Sequence, residues 1–203
     1  MSPEDPQKTS NLNLPNALTA LRIALVPFFV WFLWVGGPQG EDSAGMRWAA
    51  LVVFAAAMYT DKLDGDIARA RGLITSFGKI ADPIADKLLT GAAFVLLSML
   101  GELWWWVTVV ILVREWGITV LRFVVIRYGV MAASKGGKLK TVLQTVALLL
   151  LLLPLAPVVG AWWPWLGWTA MGAALVVTVV TGVDYLVKAA QLRRRAIAER
   201  NRP

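Results

Sequence analysis

The 203-residue chain predicts an all-α membrane protein of six transmembrane helices, with both termini on the cytoplasmic side. Three observations carry this. The residues are 58% hydrophobic and the mean hydropathy is +0.62, which leaves no room for a separate soluble module beside the apolar sequence. Apolar stretches recur along the chain, each near the roughly 20 residues that a hydrocarbon core requires. Lysines and arginines gather at alternate ends of those stretches, as they do in cytoplasmic loops.

The first stretch covers 17–35 and stops at GGPQGEDSAG, whose glycines, proline and acids break a helix. The second covers 47–69, and the third, 79–100, ends at the short Gly101-Glu102 pair. The fourth runs over 103–127 into RYGVMAASKGGK. The fifth covers 140–157, and a proline-containing passage over 154–164 leads to the sixth at 163–190. Residues 1–12, rich in Pro, Ser, Asn and charge, read as a flexible or surface-lying segment. Residues 13–190 form the six-helix transmembrane domain, and 191–203 a basic cytoplasmic tail.

Arg69, Arg71, Lys79, Lys135, Lys138, Lys140, Lys188 and the tail RRRAIAERNR all fall on one side of this arrangement. The other side holds Glu41, Asp42, Glu102 and only Arg47, so the first side is cytoplasmic. Trp104, Trp105 and Trp106, with Trp162, Trp163 and Trp165, sit at the outer ends of the last three spans, as an interfacial aromatic belt would. The net charge of +7 reads as contact with anionic membrane lipids. Nucleic acid is not an expected partner, because the charge is explained by orientation and no recognition motif accompanies it. A cleaved signal peptide fits poorly, since Glu4 and Asp5 offset Lys8 and no small-residue cleavage site follows.

The chain has no cysteine and no histidine, which removes disulfides, thiolate metal sites, the usual zinc ligand and the commonest general base. A metal would therefore see oxygen only, the environment that suits magnesium, manganese or calcium. Asp61, Asp64, Asp82 and Asp86 lie in the single run DKLDGDIARARGLITSFGKIADPIADK. Carboxylates in or at the edge of a bilayer each cost about 2.5 to 3.5 kcal/mol on insertion scales, so the cluster implies a compensating cation.

Helical phase, at about 100° per residue, sets Asp61 and Asp64 on one face with Ala68, and Arg69 on its flank, while Asp66 points away. Asp82 and Asp86 are four apart and share a face of the next span, with Pro83 suited to a first turn. Gly65 and Ala68 remove bulk, so that a phosphate or a second helix can approach the backbone. Arg69 offers a fork for an anionic oxygen.

The full spacing is D-x2-D-G-x2-A-R-x8-G-x3-D-x3-D, filled by Asp61, Asp64, Gly65, Ala68, Arg69, Gly78, Asp82 and Asp86. At ordinary residue usage a chance match at a given start is on the order of one in ten billion. This pattern resembles the signature of the CDP-alcohol phosphotransferase family. The resemblance implies that family's fold of six transmembrane helices, often a homodimer, with two metal ions, Mg2+ by default and Mn2+ as an alternative. It implies a phosphatidyl or related phosphoryl transfer in which an alcohol displaces CMP from a CDP-linked donor. Asp61, Asp64, Asp82 and Asp86 would hold metal, with Asp86 also the general base on the acceptor hydroxyl. Asn16, Asp64, Gly65, Arg69 and Thr75 would contact the CDP donor. The site would face the cytoplasm from the plasma membrane.

Cationic residues outside the signature address the acceptor. Arg114 and Arg122, eight apart in LVREWGITVLR, are close enough in phase to face one cavity, and buried arginines in a membrane helix want an anion. Glu115 is an alternative local partner for them. Lys135, Lys138 and Lys140 complete the basic set, although a plain orienting role for Lys138 and Lys140 is equally open. NLPNALTALRI, REWGITVLR and GKLKT together resemble family members that take CDP-diacylglycerol as donor and glycerol 3-phosphate as acceptor. A dianionic phosphate gives interior cations a reason to exist, through several charge-assisted hydrogen bonds.

Asn16, Thr19 and Arg22 make the start of the first span unusually polar. A nucleotide contact through Asn16 and a helix cap with an interfacial arginine both account for it. Asp184 is expected to pair with Lys188 one turn on, away from any site. Other acceptors within the family, inositol phosphate or phosphatidylglycerol, remain open. A cation transporter is the reading from another class, but it predicts carboxylates spread through the membrane depth rather than gathered at two helix ends.

Overall fold

The computed structural model describes residues 14–71, 76–125 and 135–200, without the side chains of 15, 62, 64–66, 68–71, 76–81, 83, 135 and 195–200. Every regular element among the described residues is helical: α1 (Leu14–Gly36), a 3-10 turn (Pro38–Gly40), α2 (Ala44–Arg71), α3 (Ser76–Met99), α4 (Trp105–Val125), α5 (Lys135–Leu152), the single turn α6 (Ala156–Val159) and α7 (Trp163–Arg200). The chain divides into two compact units, Met1–Leu96 and Leu97–Pro203.

In the first unit α1 and α2 form a helical hairpin. Phe29 and Leu33 of α1 and Ala50, Phe54 and Ala57 of α2 are fully buried, with the Phe29 and Phe54 rings 5.5 Å apart and tilted. Alanines at 50 and 57 let the phenyl rings fill the space between the axes. The connection is tight: a Cβ on Gly36 would lie 2.9 Å from the backbone nitrogen of Arg47. Gly37 adopts φ 69°, a left-handed conformation that glycine tolerates without penalty. Arg47 is fully buried and its Nη1 donates to the Gly37 carbonyl at 3.1 Å, satisfying a carbonyl freed where α1 ends. Ser43 precedes α2, and its Oγ accepts from the Met46 backbone N–H at 3.4 Å in the capping position.

Gly101, at φ 74°, closes α3, and the Glu102 N–H returns to the Leu97 carbonyl at 2.8 Å. In the second unit α7 is the central helix, packed by α5, α4 and α6. Leu148, Leu151 and Leu152 of α5 are buried, as are Met171 and Ala174 of α7. Gly167 permits the α5–α7 approach, since a Cβ there would sit 2.7 Å from a Leu151 methyl carbon. Gln144 donates from Nε2 to Thr178 Oγ1 at 3.0 Å, giving this apolar interface one satisfied polar pair. Trp104 packs near Trp106 and Trp168, and Trp162 near Trp163, so four of the six expected tryptophans take part in two ring clusters.

Two helices among the described residues are long and apolar enough to cross a membrane, α1 over Asn16–Gly36 and α7 over Trp163–Arg194. The other long helices carry charges inside their length: Asp61 in α2, Asp82 and Asp86 in α3, Arg114 and Glu115 in α4, Lys138 and Lys140 in α5. Large apolar side chains nevertheless face outward along them, including Val113, Val120 and Phe123 of α4 and Val176 and Val180 of α7, as lipid-facing surface does. The last helix runs past the expected end at 190 to Arg200, because the basic segment is built of Ala, Arg, Leu and Glu, all good helix formers.

Candidate active site

The acidic site is built at one end of the first unit by α1, α2 and α3. Helix α2 is unbroken from Ala44 to Arg71, so the stretch that carries Asp61, Asp64 and Gly65 is helical, as the phase argument requires. Asp82 and Asp86 follow one another by one turn on α3. Both sets of carboxylates are answered from α1. Arg22 Nη1 donates to Asp61 Oδ1 at 2.5 Å, and Thr19 Oγ1 donates to Asp82 Oδ1 at 2.5 Å. Arg22 is 1% exposed and its partner 37%, so a buried guanidinium anchors a carboxylate that reaches the surface.

Of the two accounts of the polar start of α1, an interfacial arginine is therefore excluded. Asn16, Thr19 and Arg22 are all buried, and Thr19 and Arg22 bond to the carboxylates. Thr19 and Arg22 thus join the site beyond the residues that the signature marks. Their spacing is visible in the sequence, but only the folded hairpin supplies the partners. Asp86 is partly exposed, and its backbone carbonyl accepts from Thr90 Oγ1 at 2.9 Å within α3. The side chains of Asp64, Gly65, Arg69 and Lys135, and residue Thr75, lie outside the described residues.

The carboxylates offer hard oxygen donors only, a set that fits magnesium or manganese. Among the described residues no three acidic side chains gather closely enough to hold an ion. Asp61 and Asp82 are each turned toward α1 by the bonds just described.

A second polar cluster lies inside the second unit, where α4, α5 and α7 meet. Glu115 Oε1 accepts from Lys140 Nζ at 2.5 Å and from Arg114 Nη1 at 3.2 Å. Arg114 Nη2 donates to Thr181 Oγ1 at 2.9 Å, and Arg122 Nη2 donates to the Tyr185 hydroxyl oxygen at 2.8 Å. The guanidinium carbons of Arg122 and Arg114 stand 5.1 and 5.9 Å from the centre of the Tyr185 ring. Arg114 and Lys140 are largely buried, Arg122 is exposed at the rim, and Lys138 is exposed. The two arginines thus converge, as their phase predicts, and Glu115 is the local partner of one of them. The cluster holds two positive charges more than negative when Arg114, Arg122 and Lys140 are set against Glu115, since 3 − 1 = 2.

Thr181, Gly182 and Tyr185 of α7 complete this cluster, and no motif in the sequence marks them. A Cβ at Gly182 would come within 3.2 Å of Arg114 Cγ, so the glycine is what lets the arginine stem cross α7. Asp184 is absent from the cluster and pairs with Lys188 at 2.6 Å on an exposed turn, as expected.

Residues 12–180 match the model of the CDP-alcohol phosphatidyltransferase family. A Mycobacterium tuberculosis protein named probable phosphatidylglycerophosphate synthase is 50% identical over 177 residues, covering 87% of this chain and 81% of its own. A Bacillus subtilis CDP-diacylglycerol–glycerol-3-phosphate 3-phosphatidyltransferase is 38% identical over 183 residues, covering 87% and 94%. An Escherichia coli protein of that name is 37% identical over 142 residues, covering 67% and 74%. The family match takes in the aspartate signature, the polar start of α1 and the charged members of the basic cluster, and it ends just before Thr181. Two of its described helices are long and apolar enough to cross a membrane, and the chain belongs to the CDP-alcohol phosphatidyltransferase family.

Proposed function

We propose that this chain transfers the phosphatidyl group of CDP-diacylglycerol to sn-glycerol 3-phosphate, giving phosphatidylglycerophosphate and CMP in phospholipid biosynthesis. The names of the relatives support the reaction. The observation that carries the choice of acceptor is the basic cluster of Arg114, Arg122 and Lys140, which has more positive charge than its one carboxylate can offset. A phosphorylated acceptor supplies the missing anion; a neutral alcohol does not.

In this reading Asp61, Asp64, Asp82 and Asp86 would hold two magnesium ions, with manganese as a substitute. When bound, such ions supply positive charge against the donor pyrophosphate. Asn16, Asp64, Gly65, Arg69 and Thr75 bind and orient the cytidine diphosphate. Arg22 and Thr19 fix Asp61 and Asp82 from below. Asp86 accepts the proton of the acceptor hydroxyl as that oxygen attacks the phosphorus bearing the lipid, and the bond from that phosphorus to the CMP oxygen breaks. Arg114, Arg122 and Lys140, with Lys135, hold the acceptor phosphate, and the exposed Lys138 adds at most a weak, solvent-screened attraction.

The proposed setting is the plasma membrane, with six crossings, both termini and the site on the cytoplasmic side, and a homodimeric assembly. The loop charges and the paired tryptophan clusters support that orientation. The test is CMP release by the purified chain given CDP-diacylglycerol and, in separate reactions, glycerol 3-phosphate, inositol phosphate or phosphatidylglycerol. Release with glycerol 3-phosphate is expected. Release with either other acceptor, but not with glycerol 3-phosphate, overturns the assignment.

A further inference from the structure

Among the described residues, Tyr185 is the aromatic side chain at which both arginines of the basic cluster meet. It is 2% exposed, its hydroxyl oxygen accepts from Arg122 Nη2 at 2.8 Å, and its ring lies 5.1 Å from one guanidinium carbon and 5.9 Å from the other. Arg114 and Arg122 leave α4 about 12 Å apart along its axis, at 1.5 Å per residue. Left to themselves, two like charges in a medium of low dielectric separate. The negative face of a phenol ring opposes that by attracting both.

We infer that Tyr185 is a positioning residue that holds the Arg114 and Arg122 guanidinium groups together as one receptor for a phosphate group. Each arginine spends only part of its donor capacity on the protein. Arg114 is engaged by Glu115 and Thr181, and Arg122 by the tyrosine hydroxyl. The remaining N–H groups are available to an anion. Tyr185 does not itself need to touch the anion: it sets the spacing of the two forks, and Gly182, one turn before it on α7, admits the Arg114 stem that makes the spacing possible. A residue that only filled the core would serve equally well as leucine. The hydroxyl bond and the double stacking are what a leucine cannot supply.

The inference rests on the proposed phosphate-bearing acceptor, so two readouts are needed. The first is calorimetric titration of inorganic phosphate into the full-length chain, which does not depend on which alcohol is the substrate. Wild type should bind phosphate, Tyr185→Phe about tenfold more weakly through loss of the hydroxyl bond, and Tyr185→Leu about a hundredfold more weakly through loss of the ring as well. The second is steady-state kinetics with whichever acceptor the wild type uses. The acceptor KM should rise in the same order while the KM for CDP-diacylglycerol stays unchanged, with phenylalanine restoring part of what leucine loses. Unchanged phosphate affinity in both variants overturns the inference, as does absence of phosphate binding by wild type. An equal loss for donor and acceptor also overturns it, since that marks a structural residue only. Failure of the glycerol 3-phosphate reading alone shows instead in wild-type acceptor preference and leaves the calorimetric order intact.

Discussion

Arg22 of α1 lies wholly inside the first unit with its Nη1 2.5 Å from Asp61 Oδ1, so the first aspartate of the signature is fixed by a guanidinium from a helix that carries none of the signature. Thr19, one turn earlier, does the same for Asp82. The hairpin core of Phe29, Leu33, Phe54 and Ala57 holds α1 against α2 in the register that makes the first of these bonds.

Replacing Arg22 by methionine keeps much of the side-chain length and removes the charge. Asp61 then loses this charge-assisted bond, and we expect a stability loss of about 1 to 3 kcal/mol, at the lower end because the carboxylate is partly solvated. Thermal unfolding in detergent measures this. An unchanged midpoint would show that the ion pair contributes nothing to the fold.

Asp86→Asn preserves shape and removes the proposed proton acceptor. CMP release should fall on the order of 10² to 10⁴-fold, while binding of the CDP donor and the unfolding midpoint stay near wild type. Turnover within a few-fold of wild type would remove Asp86 from the catalytic role.

Lys138 and Lys140 stand two residues apart on α5, one exposed and the other buried against Glu115. The sequence alone treats them alike, whereas the fold separates them. Lys140→Met should raise the KM for glycerol 3-phosphate about tenfold or more, and Lys138→Met by about twofold or less, because a solvated charge contributes little. Equal effects would contradict the distinction.

Gly182→Ala places a methyl 3.2 Å from Arg114 Cγ, which the arginine stem must yield to by a few tenths of an ångström. The acceptor KM should rise about threefold to tenfold, with the donor KM unchanged and a stability cost of about 1 kcal/mol. A variant indistinguishable from wild type would show that Arg114 has freedom to move.

The acidic site is legible in the sequence because its elements are local. Asp61 to Arg69 lie on one helix and Asp82 to Asp86 on the next, so spacing alone places each set within one helical segment. Arg114 and Arg122 are legible for the same reason. Arg22 is ambiguous, since an arginine near a helix start serves equally at an interface, and the partner that decides the matter is 39 residues away. Thr181, Gly182 and Tyr185 are not legible at all. In an apolar helix a single threonine, glycine or tyrosine carries no pattern, and its meaning comes only from the α4 arginines packed against it. The sequence pattern understates the length of α7 because a run of arginines signals orientation as strongly as it signals a tail, while its helix propensity is a weaker cue.

A signature for phosphatidyl transfer and a basic cluster proposed to take the acceptor's phosphate together make up the account. The decisive quantity is the ratio of kcat/KM for glycerol 3-phosphate to that for glycerol, compared between wild type and Arg122→Ala with saturating CDP-diacylglycerol. Wild type should strongly prefer the phosphorylated acceptor, and the variant should lose roughly thirtyfold of that preference with its donor KM unchanged. A preference that survives the substitution intact, or a wild type that uses the two alcohols alike, would contradict it.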